Sequence, residues 1–176
     1  SQMMSEQPYK VAILGAGNMA EGILGGALDK GVLRPQQVRA SDPTEQRRQL
    51  FLEKFAVYVT PDNADAARGA NVVLLSIKPQ TFHAEAAGLA SAVCKDCLII
   101  SIMAGIPTAT IEEKLGSLTR VVRVMPNLPI RVGAGVAGVC KGRHATDEDL
   151  AFTLRLFEAG GKAIELEDEG LIDTVT

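Results

Sequence analysis

One run of ten residues constrains this chain more than any other: Val11-Ala12-Ile13-Leu14-Gly15-Ala16-Gly17-Asn18-Met19-Ala20. Four apolar residues read as a buried strand, which stops at a glycine-rich turn and continues into a helix-compatible stretch. Gly15 permits a tight turn. Gly17 has no side chain to keep a pyrophosphate from the backbone, and Ala20 lets the next helix pack close to the strand. The N–H groups of that helix's first turn would then face phosphate. This is the dinucleotide fingerprint in its G-x-G-x-x-A form, with the strand and helix it requires on either side. Met19, Ile23, Leu24, Ala27 and Leu28 continue it at helical spacing. Gly22, Gly25 and Gly26 weaken the helix by up to ~1 kcal/mol each relative to Ala and read as room for close packing. A stricter G-x-G-x-x-G, Gly133 to Gly138, is followed by Val139-Cys140-Lys141-Gly142 with no amphipathic helix, and reads as a glycine-rich strand or loop.

The rest of the chain alternates strand and helix. Gly31 reads as a helix C-cap with Pro35 beyond it, and Val38 to Ser41 as a second strand. Asp42, 22 residues after Ala20, holds the place where an acid accepts from the adenosine ribose and repels a 2′-phosphate. Ser41, Thr44, Arg47 and Arg48 are groups that would hold such a phosphate, so NAD(H) against NADP(H) stays open. Asp42-Pro43 also suits a plain helix entry. Thr44 to Phe55 reads as a helix turning Leu50, Leu52 and Phe55 inward, and Ala56 to Val59 as a strand. Thr60 is the expected N-cap of a third helix, with Pro61 at its first position. The apolar run Val72 to Ile77 suits a central parallel strand covered on both faces.

Ligands of such sheets bind beyond the carboxyl ends of the strands, which places Ser76, Ile77 and Lys78 in a cofactor's path. Lys78 is equally a solvated strand-end lysine. A helix from Pro79 to about Ala92, a strand Leu98 to Ile102, a helix Thr108 to Leu115 closed by Gly116, and a strand Arg120 to Val124 follow. Asn127, between Pro126 and Pro129, sits at the same sheet edge, where its amide could meet a ligand or satisfy its own turn. Thr146 is the expected cap of a helix Asp147 to Glu158, Lys162 to Leu166 a last strand, and Glu167 to Gly170 a polar turn. The fold class is therefore α/β, one doubly wound, mostly parallel sheet of about eight strands, a Rossmann-type NAD(P)-binding domain.

Composition narrows the function classes. A chain of 176 residues is one large domain, with 47% hydrophobic residues and 22% charged. A net charge of −3 without a basic run gives no ground for a nucleic-acid or anionic-membrane partner. No apolar segment approaches the roughly 20 residues that span a bilayer, and the N-terminus lacks a basic-then-apolar leader, so a cytoplasmic location is expected. The stretch Ser1 to Pro8 is polar and expected to be disordered. Cys94 and Cys97 form a C-x-x-C, but Cys97 leads into a strand rather than a helix and no second ligand pair accompanies it. Incidental thiols are expected, and no metal site.

Four motifs stand in register: Leu14 to Ala20, Ser76-Ile77-Lys78-Pro79, Ser101 to Ile106 and Arg123 to Pro129. In this order and spacing the chain closely resembles pyrroline-5-carboxylate reductase over nearly its whole length after Pro8. The resemblance implies reduction of 1-pyrroline-5-carboxylate to L-proline with hydride from NADP(H) or NAD(H). It implies that Leu14, Gly15, Ala16, Gly17, Asn18 and Met19 hold the pyrophosphate, Ser41 and Asp42 the ribose or its phosphate, and Asn63 the adenosine part. Ser76, Ile77, Lys78 and Pro79 would line the dinucleotide, with Ala104, Gly105 and Asn127 beside the nicotinamide. Leu128 stands where the family usually has Thr, and Asp42 where NADPH-accepting relatives often carry a small hydroxylated residue. The family continues past the equivalent of Thr176 into a helical domain that dimerises and binds the substrate carboxylate. Residues 9–169 are thus expected to be the dinucleotide-binding domain and 170–176 the start of a linker. No catalytic acid or base is expected in this chain, and a homodimer or higher homo-oligomer is expected of the full-length protein. A stand-alone NAD(P)-binding module without catalysis, or another two-domain reductase, are the alternatives.

Overall fold

The computed structural model describes residues 10–126, 135–158, 161–166 and 169–171. The stretch Ser1 to Pro8, Asn127 and Leu128 lie outside them. Among the described residues eight strands form one sheet: β1 (Val11–Leu14), β2 (Val38–Ser41), β3 (Tyr58–Thr60), β4 (Val72–Leu75), β5 (Leu98–Ser101), β6 (Arg120–Pro126), β7 (Gly135–Lys141) and β8 (Gly161–Glu165), in the spatial order β3-β2-β1-β4-β5-β6-β7-β8. All neighbours run parallel except β6 and β7, which pair antiparallel. The order reverses between β1 and β4, the place where doubly wound sheets open a crevice for a ligand. Four of the six residues of the stricter glycine motif, Gly135 to Gly138, lie in β7, a strand with no helix following directly, as its sequence context requires.

Helices α1 (Asn18–Asp29), α2 (Glu45–Phe55), α3 (Asn63–Ala67), α4 (Pro79–Ala92), α5 (Thr108–Leu115) and α6 (Asp147–Glu158) cover the two faces. Alternate residues of the central strands feed opposite cores, as a sheet buried on both sides demands. Val11 and Ile13 pack with α1, α2 and α6 residues such as Leu24, Phe51 and Phe157. Ala12 and Leu14 pack on the other face with Phe82, Leu89 and Ile111.

The termini of the helices follow their local chemistry. Gly31 takes a left-handed φ of 73° just past α1, and Gly116 ends α5. Thr146 and Asp149 cap α6 reciprocally: the Thr146 hydroxyl accepts from the Asp149 N–H at 3.1 Å, and the Asp149 carboxylate from the Thr146 N–H at 2.9 Å.

Two expectations are corrected. Asp62, not Thr60, caps α3, accepting from the Ala64 N–H at 3.0 Å, while Thr60 accepts from Asp62 one turn earlier. An aspartate at this place satisfies a first-turn donor that the longer reach from Thr60 leaves to a tight turn. On α2 Phe51 and Phe55 are the buried residues, with Leu50 partly buried against the same core as expected, whereas Leu52 points outward and is 45% exposed. Burying the two rings edge to face at 5.2 Å removes more apolar surface than the leucines would. Gly25 of α1 lies against the Phe55 ring, where an added Cβ would stand 3.6 Å from it, and that contact seats α1 on α2.

Candidate dinucleotide site

The loop after β1 is the hinge of the site. Gly15 is buried with φ of 99°, and a Cβ there would lie 2.3 Å from the Ser76 carbonyl oxygen. The glycine is therefore required twice, by its backbone angle and by the approach of the loop after β4. Backbone bonds hold the contact: Gly15 N–H donates to Ser41 O and Ser76 N–H to Leu14 O, both at 2.8 Å. Gly17 is different. Its φ is −84°, nothing lies within 4 Å of where a Cβ would stand, and it caps α1 with no side-chain acceptor. No side chain caps the first turn of α1 at this point, and the space beside Gly17 is open, the form of helix N-terminus that can receive an anion.

The Ala16 peptide is already engaged at both ends. Its N–H donates to Asp42 Oδ2 at 2.9 Å, and its carbonyl accepts from Arg47 Nε. Asp42 Oδ1 accepts from the Thr44 N–H at 2.8 Å, and the Asp42 carbonyl accepts from Arg48 Nη1 at 2.8 Å. The acid expected at the ribose thus ties the glycine loop to the turn entering α2. Ser41 is fully buried and donates to Asn63 Oδ1 at 2.6 Å, while Asn63 Nδ2 donates to Glu85 at 2.9 Å. Those two side chains brace the ends of β2 and α3 behind the loop.

On the other side of the switch point a cleft of about 250 Å³ is lined by Met19, Ser76, Ile77, Ile102, Met103, Ala104 and Met125. These come from the carboxyl ends of β4, β5 and β6 and the first turn of α1. Lys78 stands exposed at the N-cap of α4, with Pro79 opening the helix. Ala104 and Gly105 are exposed on the loop after β5, where Gly105 takes φ of 72°. Asn127 lies outside the described residues. Of the expected residues the cleft brings together Met19, Ser76, Ile77 and Ala104, with Gly15 packed against the Ser76 carbonyl and Leu14 buried in the core. The structure sets Ser41, Asp42 and Asn63 at the end of β2.

Sequence reasoning missed the supports of the loop after β5. The buried Ser101 hydroxyl accepts from the Met103 N–H at 3.2 Å, and Ile102 N–H donates to Leu75 O. Glu169 meets the other end, at Thr108. A polar residue closing an apolar strand was the only signal for Ser101, and Glu169 had none beyond its charge.

Of the C-x-x-C pair, Cys94 is exposed and Cys97 buried, and both are free thiols. Burial pushes the Cys97 thiol up to about 12, so it carries no thiolate at neutral pH. Among the described residues no group of His, Cys, Asp and Glu could hold a metal ion, and no helix is long and apolar enough to cross a membrane.

Strand order, switch-point cleft and an open helix N-terminus after a glycine loop define a Rossmann-type NAD(P)-binding domain. Residues 10–105 match the family model described as NADP oxidoreductase, coenzyme F420-dependent, and the chain belongs to that family. Pyrroline-5-carboxylate reductase of Pseudomonas aeruginosa is 41% identical over 167 residues, covering 95% of this chain and 61% of that protein. The enzyme of the same name from Methanosarcina acetivorans is 36% identical over 95% of this chain and 62% of its own length. The solved pyrroline-5-carboxylate reductase of Coxiella burnetii superposes with a TM-score of 0.90 at 29% identity, over 95% of this chain and 62% of that one. The chain thus spans about three fifths of the length of these relatives.

Proposed function

We propose that this chain is the cofactor-binding half of a pyrroline-5-carboxylate reductase, which reduces 1-pyrroline-5-carboxylate to L-proline at the expense of NADPH or NADH. The carrying observation is the open N-terminus of α1 at Gly17, beside an apolar cleft at the switch point. Relatives of that name at 36% and 41% identity over 95% of the chain support it.

The residues present fit a dinucleotide. The N–H groups of Asn18 and Met19 in the first turn of α1 would hold the pyrophosphate, with Leu14, Gly15 and Ala16 shaping the loop. Asp42 and Ser41, with Asn63, would border the adenosine ribose, and Ser76, Ile77, Lys78 and Pro79 the middle of the molecule. Ala104, Gly105 and Asn127 would border the nicotinamide, which when bound supplies a hydride to an imine carbon. Met19, Ile77, Ile102, Met103 and Met125 line the cleft with apolar surface and keep water from the donor. None of the seven lining residues titrates, so this cleft itself offers no acid to the imine nitrogen. The chain's work is then binding and orientation.

Residues 9–169 form the dinucleotide domain in this reading, and 170–176 lead toward a helical, dimerising half that binds the substrate carboxylate. The isolated chain binds cofactor without forming proline, and the full-length protein is a cytoplasmic homo-oligomer. Three free thiols suit a reducing compartment. The test is a fluorescence titration of the chain with NADPH and NADH, together with an assay of the longer protein for cofactor oxidation dependent on 1-pyrroline-5-carboxylate. Saturable binding and proline formation support the reading. A longer protein that ignores this substrate, or oxidises cofactor only with a different one, sinks it.

A further inference from the structure

Glu169 follows β8 in a short 3-10 turn, Glu169–Leu171, yet its bonds are made elsewhere. Its Oε2 accepts from the Thr108 N–H at 2.8 Å, and its Oε1 from the Thr108 hydroxyl at 2.7 Å. The same Oε2 also accepts from Arg123 Nη1 at 3.1 Å, on a β6 side chain only 3% exposed. One carboxylate therefore joins three parts of the chain: the segment leaving β8, the start of α5, and β6 two residues before Met125.

Thr108 ends the loop that carries Met103, Ala104 and Gly105. That loop is pinned at its start by the Ser101 hydroxyl, which takes the Met103 N–H, and by Ile102 N–H on Leu75 O. Glu169 pins its end. Between the two pins lies only a short span with Gly105 in a left-handed conformation, and Met103 and Ala104 within it form one wall of the cleft. Arg123 sets the strand that brings Met125 to the facing wall. Charge-assisted bonds to a fixed carboxylate are short and directional, which suits holding two walls at one separation.

We propose that Glu169 is a positioning residue for the nicotinamide compartment: through Thr108 and Arg123 it holds the Met103–Ala104 and Met125 walls in register, and it ties the segment after β8 to that compartment. The inference rests on the dinucleotide reading above. It assigns Glu169 no contact with cofactor or substrate and acts on the nicotinamide end alone, because the glycine loop and the β2 end have their own supports in Asp42, Arg47 and Asn63.

Calorimetry of the wild-type chain, Glu169→Gln and Thr108→Val tests this with two kinds of probe, NADPH or NADH and the matching nicotinamide-free piece, 2′-phospho-ADP-ribose or ADP-ribose. Glu169→Gln is expected to weaken the whole dinucleotide by about tenfold and the piece by less than about twofold, with Thr108→Val smaller and in the same direction. A general loss of folding lowers the competent fraction for both probes alike. Equal weakening of both, or of neither, therefore overturns the proposal while leaving the dinucleotide reading intact. If Glu169→Gln does not fold, Thr108→Val decides by the same ratio. A wild-type chain that binds no dinucleotide overturns both readings at once.

Discussion

Asp42 and Ala16, 26 residues apart, are joined by a 2.9 Å hydrogen bond from the Ala16 N–H to the Asp42 carboxylate, and the Arg47 guanidinium takes the carbonyl of the same residue. The glycine loop is thus held from the end of β2 before any ligand arrives. A neutral replacement frees the Ala16 N–H and removes a negative charge from the adenosine side of the loop. Asp42→Ser is expected to raise the ratio of NADPH to NADH affinity by about tenfold, equivalent to ~1.4 kcal/mol, measured by fluorescence titration at fixed salt. It is also expected to cost about 1 kcal/mol of stability in urea, because two backbone donors lose their acceptor. An unchanged ratio would remove Asp42 from cofactor selection and leave it a purely structural clamp.

The two glycines of the fingerprint separate folding from binding. Gly15→Ala places a Cβ 2.3 Å from Ser76 O at a φ of 99°, so the loops after β1 and β4 must part. A loss of about 3 kcal/mol or more in denaturant unfolding is expected. Gly17→Ala meets nothing within 4 Å at a φ of −84° and should cost less than about 1 kcal/mol, while weakening dinucleotide binding at least about tenfold by filling the space before α1. Equal stability losses for the two variants would contradict this division.

Glu21 on α1 accepts from Lys54 at 2.7 Å and from Arg47 at 2.8 Å, both on α2. These bonds, Lys54's first, hold its carboxyl below the ordinary 4.5. A depressed carboxylate contributes stability that is fully present above that ordinary value and is lost as pH falls through the folded one. Glu21→Gln should therefore unfold at lower urea than wild type near neutral pH, by under about 1 kcal/mol for a partly exposed pair, and the two should converge in acid. Parallel curves down to about pH 2 would show that the ion pair contributes nothing.

What the sequence made legible was local. Val11 to Ala20 announces strand, turn and helix because each step depends on neighbours a few residues away. Gly31, Gly116 and Thr146 mark helix ends for the same reason. Phe51 is missed because α2 is mostly polar, so a weak apolar periodicity lets Leu52 stand in for it, and only the packing of α2 against β2, β3 and α1 decides between them. Asp42 was legible as a position but not as a partner of Ala16, and Glu169 not at all. Its contacts with Thr108 and Arg123 span 61 and 46 residues, and no local pattern encodes a bond made across the sheet.

The C-x-x-C pair gives the last prediction. Cys94 is exposed on the turn before β5, whereas Cys97 is 1% exposed, and burial above all, then the neighbouring Cys94, pushes its thiol from 9.0 up to about 12. With its thiol buried and protonated, Cys97 is not itself a nucleophile at neutral pH, because attack needs the thiolate. Thiol reagent at about pH 8 should modify Cys94 quickly and Cys97 only on unfolding, since the buried group keeps its proton there. The same shift sets an alkaline limit. The raised thiol contributes stability in full below about pH 9, and it is lost as pH rises toward about 12, because the unfolded chain releases that proton first. Cys97→Ala should lose some packing at neutral pH yet show a shallower decline across that window than wild type. Rapid labelling of Cys97 in the folded chain would mean that the strand end at Leu98 opens far more readily than its burial implies.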